Sequence, residues 1–274
     1  MQVVIRPASR GWVRLDQHLR TLTAFADLLY TLSLHRISVR YKQTVAGVLW
    51  AVLQPLLMMV IFTVVFSRLA RIPSEGVPYA LFAYTALLPW TLFSTAITNG
   101  TNSLVSHTQL ITKVYFPREI LPLTYLVAAM FDFAMGLVVF AALIGWYGIA
   151  ITAHLLAVLP LLLLLCAWAL TVMLVLAVLQ VRFRDVGVAL PVLVQLWMFA
   201  SPVIYPLSVV PARWRWWYDL NPMAGIIGAF RDALLQRPLS DAAALDVAIA
   251  VTAIALPVAY AFFKRAEATM ADVI

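Results

Sequence analysis

Apolar side chains run in long blocks along this chain, separated by short segments that hold the charges and most turn-forming residues. Blocks near 47–67, 78–98, 122–145, 154–181, 188–205 and 242–263 each approach the roughly 20 mostly apolar residues that a helix needs to cross a bilayer. Inside lipid every backbone N–H and C=O must find a partner within the protein, so such blocks predict helices. The fifth block is short and Pro-bounded. Residues 206–238 mix Trp214, Trp216, Trp217 and Tyr218 with Arg213, Arg215, Asp219 and Arg231, and are too polar for an ordinary span. Because 223–235 keeps an apolar periodicity, two short helices that enter the bilayer and return fit this stretch. Trp214, Trp216, Trp217 and Tyr218 suit the outer membrane interface.

Ahead of the first block, Leu22, Phe25, Leu29, Leu32, Ile37 and Tyr41 recur at helical spacing, while Arg36, Arg40 and Lys42 supply a polar side. This predicts an amphipathic helix, lying in the membrane interface or packed on the protein's own cytoplasmic surface. The fold class that follows is an all-α polytopic membrane protein. It has six transmembrane helices, an N-terminal amphipathic interface helix, and re-entrant helices between spans five and six. We read 1–274 as a single domain, with 1–45 a cytoplasmic interface segment and 46–274 the six-span bundle.

Composition strengthens this reading. Of 274 residues 64% are apolar and only 11% charged, with a mean hydropathy of +0.95; a soluble domain carries about 25% charged residues to solvate its surface. The net charge of +7 does not point to nucleic acid, because the basic residues sit between apolar blocks instead of on one folded face. With six spans, 13 Lys and Arg fall on one side and 6 on the other, which predicts both termini in the cytoplasm. Cys166 is the only cysteine, so neither an intrachain disulfide nor a cysteine metal site is available. The first twenty residues lack the apolar core of a cleavable signal peptide, so insertion is expected to begin at the first span.

Certain segments carry more specific chemistry. The loop at 110–119 holds Lys113, Tyr115, Phe116, Pro117, Arg118 and Glu119. Aromatics and arginine on a short element anchor protein interfaces, but the same residues also sit well at headgroup depth. Asp132 is an acidic residue deep inside a predicted span, well away from the span ends. A charge there is costly and marks a functional or paired site; it is expected to face a dimer interface, to pair with Arg231, or to serve structure. Arg182, Arg184 and Asp185 mark a turn set by topology.

RYKQTVAGVLWAVLQPLLMMVIFTVVFSRL at 40–69 and YTALLPWTLFSTAITNGTNSLVSHTQLITKVYFPREILPL at 84–123, with Asn-Pro-Met at 221–223 and Arg231 after it, resemble the permease subunits of the ABC-2 family that export O-antigen, capsular polysaccharide and teichoic acid. Gly225 departs from that signature, which often has a polar or bulkier residue there. The resemblance implies a homodimer in the bacterial inner membrane, bound to two copies of a separate nucleotide-binding subunit and, in some systems, to periplasmic export partners. It implies a lipid-linked polysaccharide as substrate and a chain that is a transporter subunit, not an enzyme. No G-x-x-x-x-G-K-[ST] loop occurs, so this chain is expected to hold no cofactor, with ATP and Mg on the partner. It also implies ATPase coupling through Lys113, Tyr115, Phe116, Arg118 and Glu119, with Arg36, Arg40, Tyr41 and Lys42 as a second contact.

A sugar chain packs its C–H faces on aromatic rings and exchanges hydroxyl hydrogen bonds with small polar groups. Candidates for its path are Trp50, then Tyr84, Trp90, Thr91, Phe93, Ser94, Thr98 and Asn99, then Trp197, Phe199, Ser201 and Tyr205. The competing role for such aromatics is the interfacial belt or lipid contact. A drug or glycolipid permease is the nearest alternative function. A lipid-linked sugar transferase would need clustered carboxylates, and Asp16, Asp27 and Asp185 are scattered. A non-transporting membrane scaffold is the remaining option.

Overall fold

The computed structural model describes residues 24–42 and 47–273; Leu22, Asp16 and the basic residues Arg6, Arg10, Arg14 and Arg20 lie outside them. Among the described residues the regular structure is helical. Helix α1 is Ala26–Lys42. Helix α2, Leu49–Phe62, runs on through a π-helical stretch, Thr63–Leu69, where the Thr63 hydroxyl bonds the Met59 carbonyl. Then come α3 (Tyr79–Thr101), the short α4 (Ser103–Ser106) and α5 (Thr108–Lys113), and α6 (Ile120–Tyr147). A 3₁₀ turn, Ala153–Ala157, leads into α7 (Val158–Arg182). Helices α8 (Asp185–Phe199), α9 (Ala212–Asp219), α10 (Pro222–Leu234) and α11 (Ala242–Val273) complete the chain.

Among the described residues five helical stretches are long and apolar enough to cross a membrane: Leu49–Leu69, Tyr79–Thr101, Ile120–Tyr147, Ala153–Arg182 and Ala242–Glu267. The fifth apolar block, 188–205, is different. Its helix starts earlier and stops at Phe199, giving 15 residues, about 22 Å at 1.5 Å per residue against a hydrocarbon core of about 30 Å. The early stop has a local cause: Pro202 and Pro206 bring no N–H to a continuing helix.

Helix α3 is the hub. In its spanning window 78% of residues are buried, against 17% for α2 and 22% for α11, and it packs on α2, α6, α7, α8 and α10. Small residues permit this closeness, because membrane helices gain from packing and backbone approach, not from expelling water. A Cβ at Gly136 of α6 would lie 2.4 Å from a Leu88 methyl, and one at Gly100 of α3 would collide with Met173 of α7. The Tyr84 hydroxyl donates to the Gly136 carbonyl at 3.0 Å.

Local signals explain the element ends. Helix α6 stops at Gly148, whose φ of +66° closes a left-handed cap. Helix α10 starts on the Asn-Pro-Met signature: the Asn221 side chain accepts from the Met223 N–H while Pro222 fills the first turn, where no N–H is needed.

A second apolar cluster sits at one end of the bundle, where Phe116, Ile120, Val178, Phe263 and Met270 meet Phe25, Leu28, Leu29 and Leu32. Helix α1 therefore docks one face on the chain itself, chiefly along α6, and leaves Tyr30, Leu34 and Val39 exposed on the other. Arg36, Lys113, Arg182 and Lys264 lie at or beside this end, called here the basic end. The start of α1 and the close of α11 both reach it.

Candidate coupling and translocation sites

The 107–119 loop divides into an exposed tip and an anchored base. Val114 is extended, and Lys113, Val114 and Tyr115 are solvent-facing, Tyr115 being 75% exposed. Phe116 turns into the second cluster, and Pro117 is buried beside it. The Arg118 N–H donates to Glu267 Oε1 at 3.0 Å, and its guanidinium donates to the Glu267 carbonyl. Glu119 is only 2% exposed. It accepts from Lys264 Nζ at 2.7 Å and from the Tyr260 hydroxyl at 3.2 Å, and Lys264 also reaches Glu267 at 2.8 Å. A buried carboxylate is tolerable only when paired and hydrogen-bonded in this way.

The C-terminal half of α1 makes a second polar junction. The Arg36 guanidinium lies 3.3 Å from the centre of the Tyr125 ring, and its NH2 is 3.3 Å from His107 Nε2. Because His107 Nδ1 is 2.8 Å from the Ser103 carbonyl, which only accepts, the ring proton belongs on Nδ1 and Nε2 receives the Arg36 hydrogen. Burial pulls the Arg36 guanidinium below its ordinary pKa, with Tyr125 opposing. One turn on, Arg40 meets Asp132 at 2.5 Å, and Tyr41 donates its hydroxyl to the other carboxylate oxygen. Asp132 therefore pairs with α1 and not with Arg231. Arg40, Tyr41 and Asp132 line a crevice with Trp50, Gln54, Thr91 and Thr95, while Lys42 is exposed.

The aromatic candidates split by burial. Tyr84, Trp90 and Phe93 are buried in the main core, Phe93 edge-on to Trp197 at 5.0 Å between ring centres. Ser201 is fully buried and accepts from Asn221 Nδ2 at 2.9 Å. Within this chain these four pack the core and fix turn geometry. Ser94 and Thr98 are half-buried, and Ser94 bonds the Thr91 carbonyl. Trp197 is half-buried and donates to Asn221 Oδ1 at 3.1 Å; Tyr205 donates to the Phe199 carbonyl and contacts the Tyr218 hydroxyl. Trp50, Asn99 and Phe199 are exposed.

The turn after α8 is pinned by polar side chains whose role sequence reasoning missed. Arg231, buried on α10, donates to the Pro202 carbonyl at 2.6 Å and the Val203 carbonyl at 3.3 Å, with its guanidinium 3.9 Å from the Phe82 ring centre. Tyr79, at the start of α3, donates to the Ile204 carbonyl at 2.7 Å, and Asn221 reaches the Ala200 carbonyl at 3.3 Å. Four turn carbonyls, those of Ala200, Pro202, Val203 and Ile204, near the end opposite the basic one are thus satisfied by side chains of α3, α10 and the α10 N-cap. The only sequence-level signal was that Asn221 and Arg231 carry polar groups within an otherwise apolar periodic stretch.

Long apolar helices around a buried hub, a half-length helix with a pinned turn and a loop tied to the last helix together define a polytopic integral membrane protein. The chain belongs to the ABC-2 type transporter family, whose pattern matches residues 27–235, from the first turn of α1 to the end of α10. It is 30% identical over 257 residues to the O-antigen export system permease protein RfbA of Myxococcus xanthus, covering 92% of this chain and 97% of that one. It is 27% identical over 215 residues to the Klebsiella pneumoniae protein of the same name, covering 78% and 82%. With the polysialic acid transport protein KpsM of Escherichia coli it shares 23% identity over 249 residues, covering 87% and 93%.

Proposed function

We propose that this chain is the membrane-spanning subunit of an ATP-driven exporter that carries lipid-linked polysaccharide across the bacterial inner membrane. The observation that carries the reading is the near full-length similarity to permeases named for O-antigen export and for polysialic acid transport. ATP and Mg bind a separate nucleotide-binding subunit, present in two copies, since this sequence has no phosphate-cradling loop. The permease acts as a homodimer in which the exposed apolar faces of α2 and α8 meet lipid or the second copy; capsule-type systems add periplasmic partners. Drug or glycolipid export remains the alternative tested below.

Six crossings with both termini cytoplasmic are supported by a count. The first and last described helices share the basic end, which requires an even number of passes. Helix α8, together with the turn pinned to the start of α3, supplies the sixth. Helices α9 and α10 are the re-entrant pair, because α10 is buried against α3, α7 and α11. The exposed Lys113 and Tyr115, with Lys42, form the ATPase contact, and Phe116, Arg118 and Glu119 fix its base. Arg36, Arg40 and Tyr41 seat α1 beside it. Exposed Trp50, Asn99 and Phe199 line the path, with Ser94, Trp197 and Tyr205 at its edge and the buried Tyr84, Trp90, Phe93 and Ser201 behind them.

The test is deletion of the gene in its own bacterium. Surface glycan should disappear while lipid-linked glycan accumulates inside, and the wild-type gene should restore display. Replacing Lys113 and Tyr115 together by alanine should abolish recovery of the ATPase with the permease. Normal glycan display in the deletion strain, with a drug or small glycolipid retained instead, overturns the polysaccharide reading.

A further inference from the structure

We propose that the buried Glu119–Lys264 ion pair is the positioning element that transmits movement of the exposed 113–115 tip to α11, the last membrane helix. The inference rests on the coupling role proposed for that tip.

Glu119 immediately precedes α6, where a carboxylate ordinarily turns back to cap its own helix. Here its side chain makes no such bond. Instead both oxygens face α11: one takes Lys264 Nζ at 2.7 Å and the other the Tyr260 hydroxyl at 3.2 Å. Lys264 carries a second carboxylate, Glu267, at 2.8 Å, and Glu267 in turn accepts the Arg118 N–H. Every charged group in the cluster thus has a partner on the other side of the junction or one turn away.

The position of this junction gives it mechanical meaning. Helix α6 packs on α3 and α1, whereas α11 packs along α7 and α10. Beside the indirect route through the hub α3, the loop base ties α6 directly to α11 at the basic end, through Phe116 against Phe263 and Met270 and through the charged cluster. Apolar contacts permit sliding, because dispersion has no direction. A desolvated ion pair with two further hydrogen bonds does not, because sliding strands a buried charge. A push on the tip that moves Glu119 must therefore carry Lys264 and α11 with it. Through α11 the displacement reaches α10, which holds the turn after α8.

The test uses the complete complex of permease and ATPase in its own bacterium, reading surface glycan displayed per ATP hydrolysed by membranes from the same cells. Glu119→Gln and Lys264→Met should each still co-purify with the ATPase, yet lower glycan exported per ATP by at least about fivefold, the lower bound for a typical coupling free energy. The exchange Glu119→Lys with Lys264→Glu returns one cation and two carboxylates to the cluster and should recover much of the ratio, which a purely local packing role would not. Where a charge variant reduces yield, Tyr260→Phe removes one bond to Glu119 without leaving a charge and should give a smaller drop in the same ratio. An unchanged ratio in Glu119→Gln and Lys264→Met overturns the inference. If those two are unchanged while tip variants lose the ATPase, only the transmission role fails; if tip variants also keep the ATPase and full export, the coupling reading falls with it.

Discussion

Gly225 of α10 lies so close to the Ala244 carbonyl of α11 that an added Cβ would stand 2.2 Å from its oxygen and 2.6 Å from its carbon. The obstacle is backbone, so no side chain can rotate out of the way. This chain brings α10 and α11 together at the one residue type that permits such an approach. Gly225→Ala is expected to destabilise the protein, since overpacking costs about 1–3 kcal/mol and exceeds the helix-propensity gain of about 0.5–1 kcal/mol for replacing a mid-helix glycine. Thermal unfolding of the detergent-purified protein measures the sign; a rise in midpoint contradicts the packing.

Asp132 and Arg40 offer an asymmetric pair. The Asp132 side chain is 13% exposed and that of Arg40 42%, so removing the arginine leaves a mostly desolvated carboxylate without its counter-charge, held by the Tyr41 hydroxyl, whereas removing the carboxylate leaves a cation that turns to water. Arg40→Ala should therefore cost about 1–3 kcal/mol, the penalty of an unsatisfied buried group, and Asp132→Asn less than about 1 kcal/mol. The double variant should resemble Asp132→Asn alone. A double-mutant cycle of unfolding midpoints checks this, and additive losses would count against the pairing.

Arg231 spans a turn that no other arginine-like group can hold. Its NH2 serves two carbonyls while its flat face lies on Phe82. Lysine is a point charge without the planar fork and does not stack in the same way, so Arg231→Lys should fail to rescue. Both Arg231→Lys and Arg231→Met are expected to lose about 1.5–3 kcal/mol, the range for hydrogen bonds to a charged group. Limited proteolysis should then open the 200–206 turn before the rest of the bundle; equal protection of that turn in wild type and variants would refute the pinning.

Much of this architecture was legible because lipid imposes a simple rule on sequence. The blocks at 47–67, 78–98, 122–145 and 154–181 all became helices, displaced by a few residues. The block at 242–263 continues to Val273, since Lys264 and Glu267 form an ion-paired extension that a hydropathy pattern ends too soon. The block at 188–205 runs past its helix, which ends at Phe199, because its apolar character persists while its prolines do not sustain a helix. Pairings were beyond sequence reading. Glu119 and Lys264 lie 145 residues apart, and Arg40 and Asp132 are 92 apart, so only tertiary packing brings them together. Burial of Tyr84, Trp90 and Phe93 was hidden for the same reason: an aromatic in a span looks alike whether it faces a neighbour, lipid or a lumen.

At the end opposite the basic one, two carboxylates respond oppositely to acid. Asp241 takes Arg215 NH2 at 2.8 Å and the Ala244 N–H at 3.1 Å; burial works against its charge, but these partners win and hold it below the usual carboxylate range. Asp219 has a buried oxygen without a hydrogen bond, and burial first, then the negative charge of Asp241, push it above that range, with Arg215 opposing. A carboxylate depressed by folding adds stability above its unfolded value and loses it as pH falls through its folded one; a raised carboxylate costs stability above its folded value, and that cost fades as pH falls from there to the unfolded value. At neutral pH Asp241→Asn should therefore lower the unfolding midpoint and Asp219→Asn raise it. On acidification the advantage of Asp219→Asn should shrink first, beginning above the ordinary carboxylate value of about 3.9 and gone by about that pH. The deficit of Asp241→Asn should persist to lower pH, because its charge is held longer. Midpoints of both variants and wild type across that range decide the matter: if the two differences close at the same pH, the opposed environments are not as the structure has them.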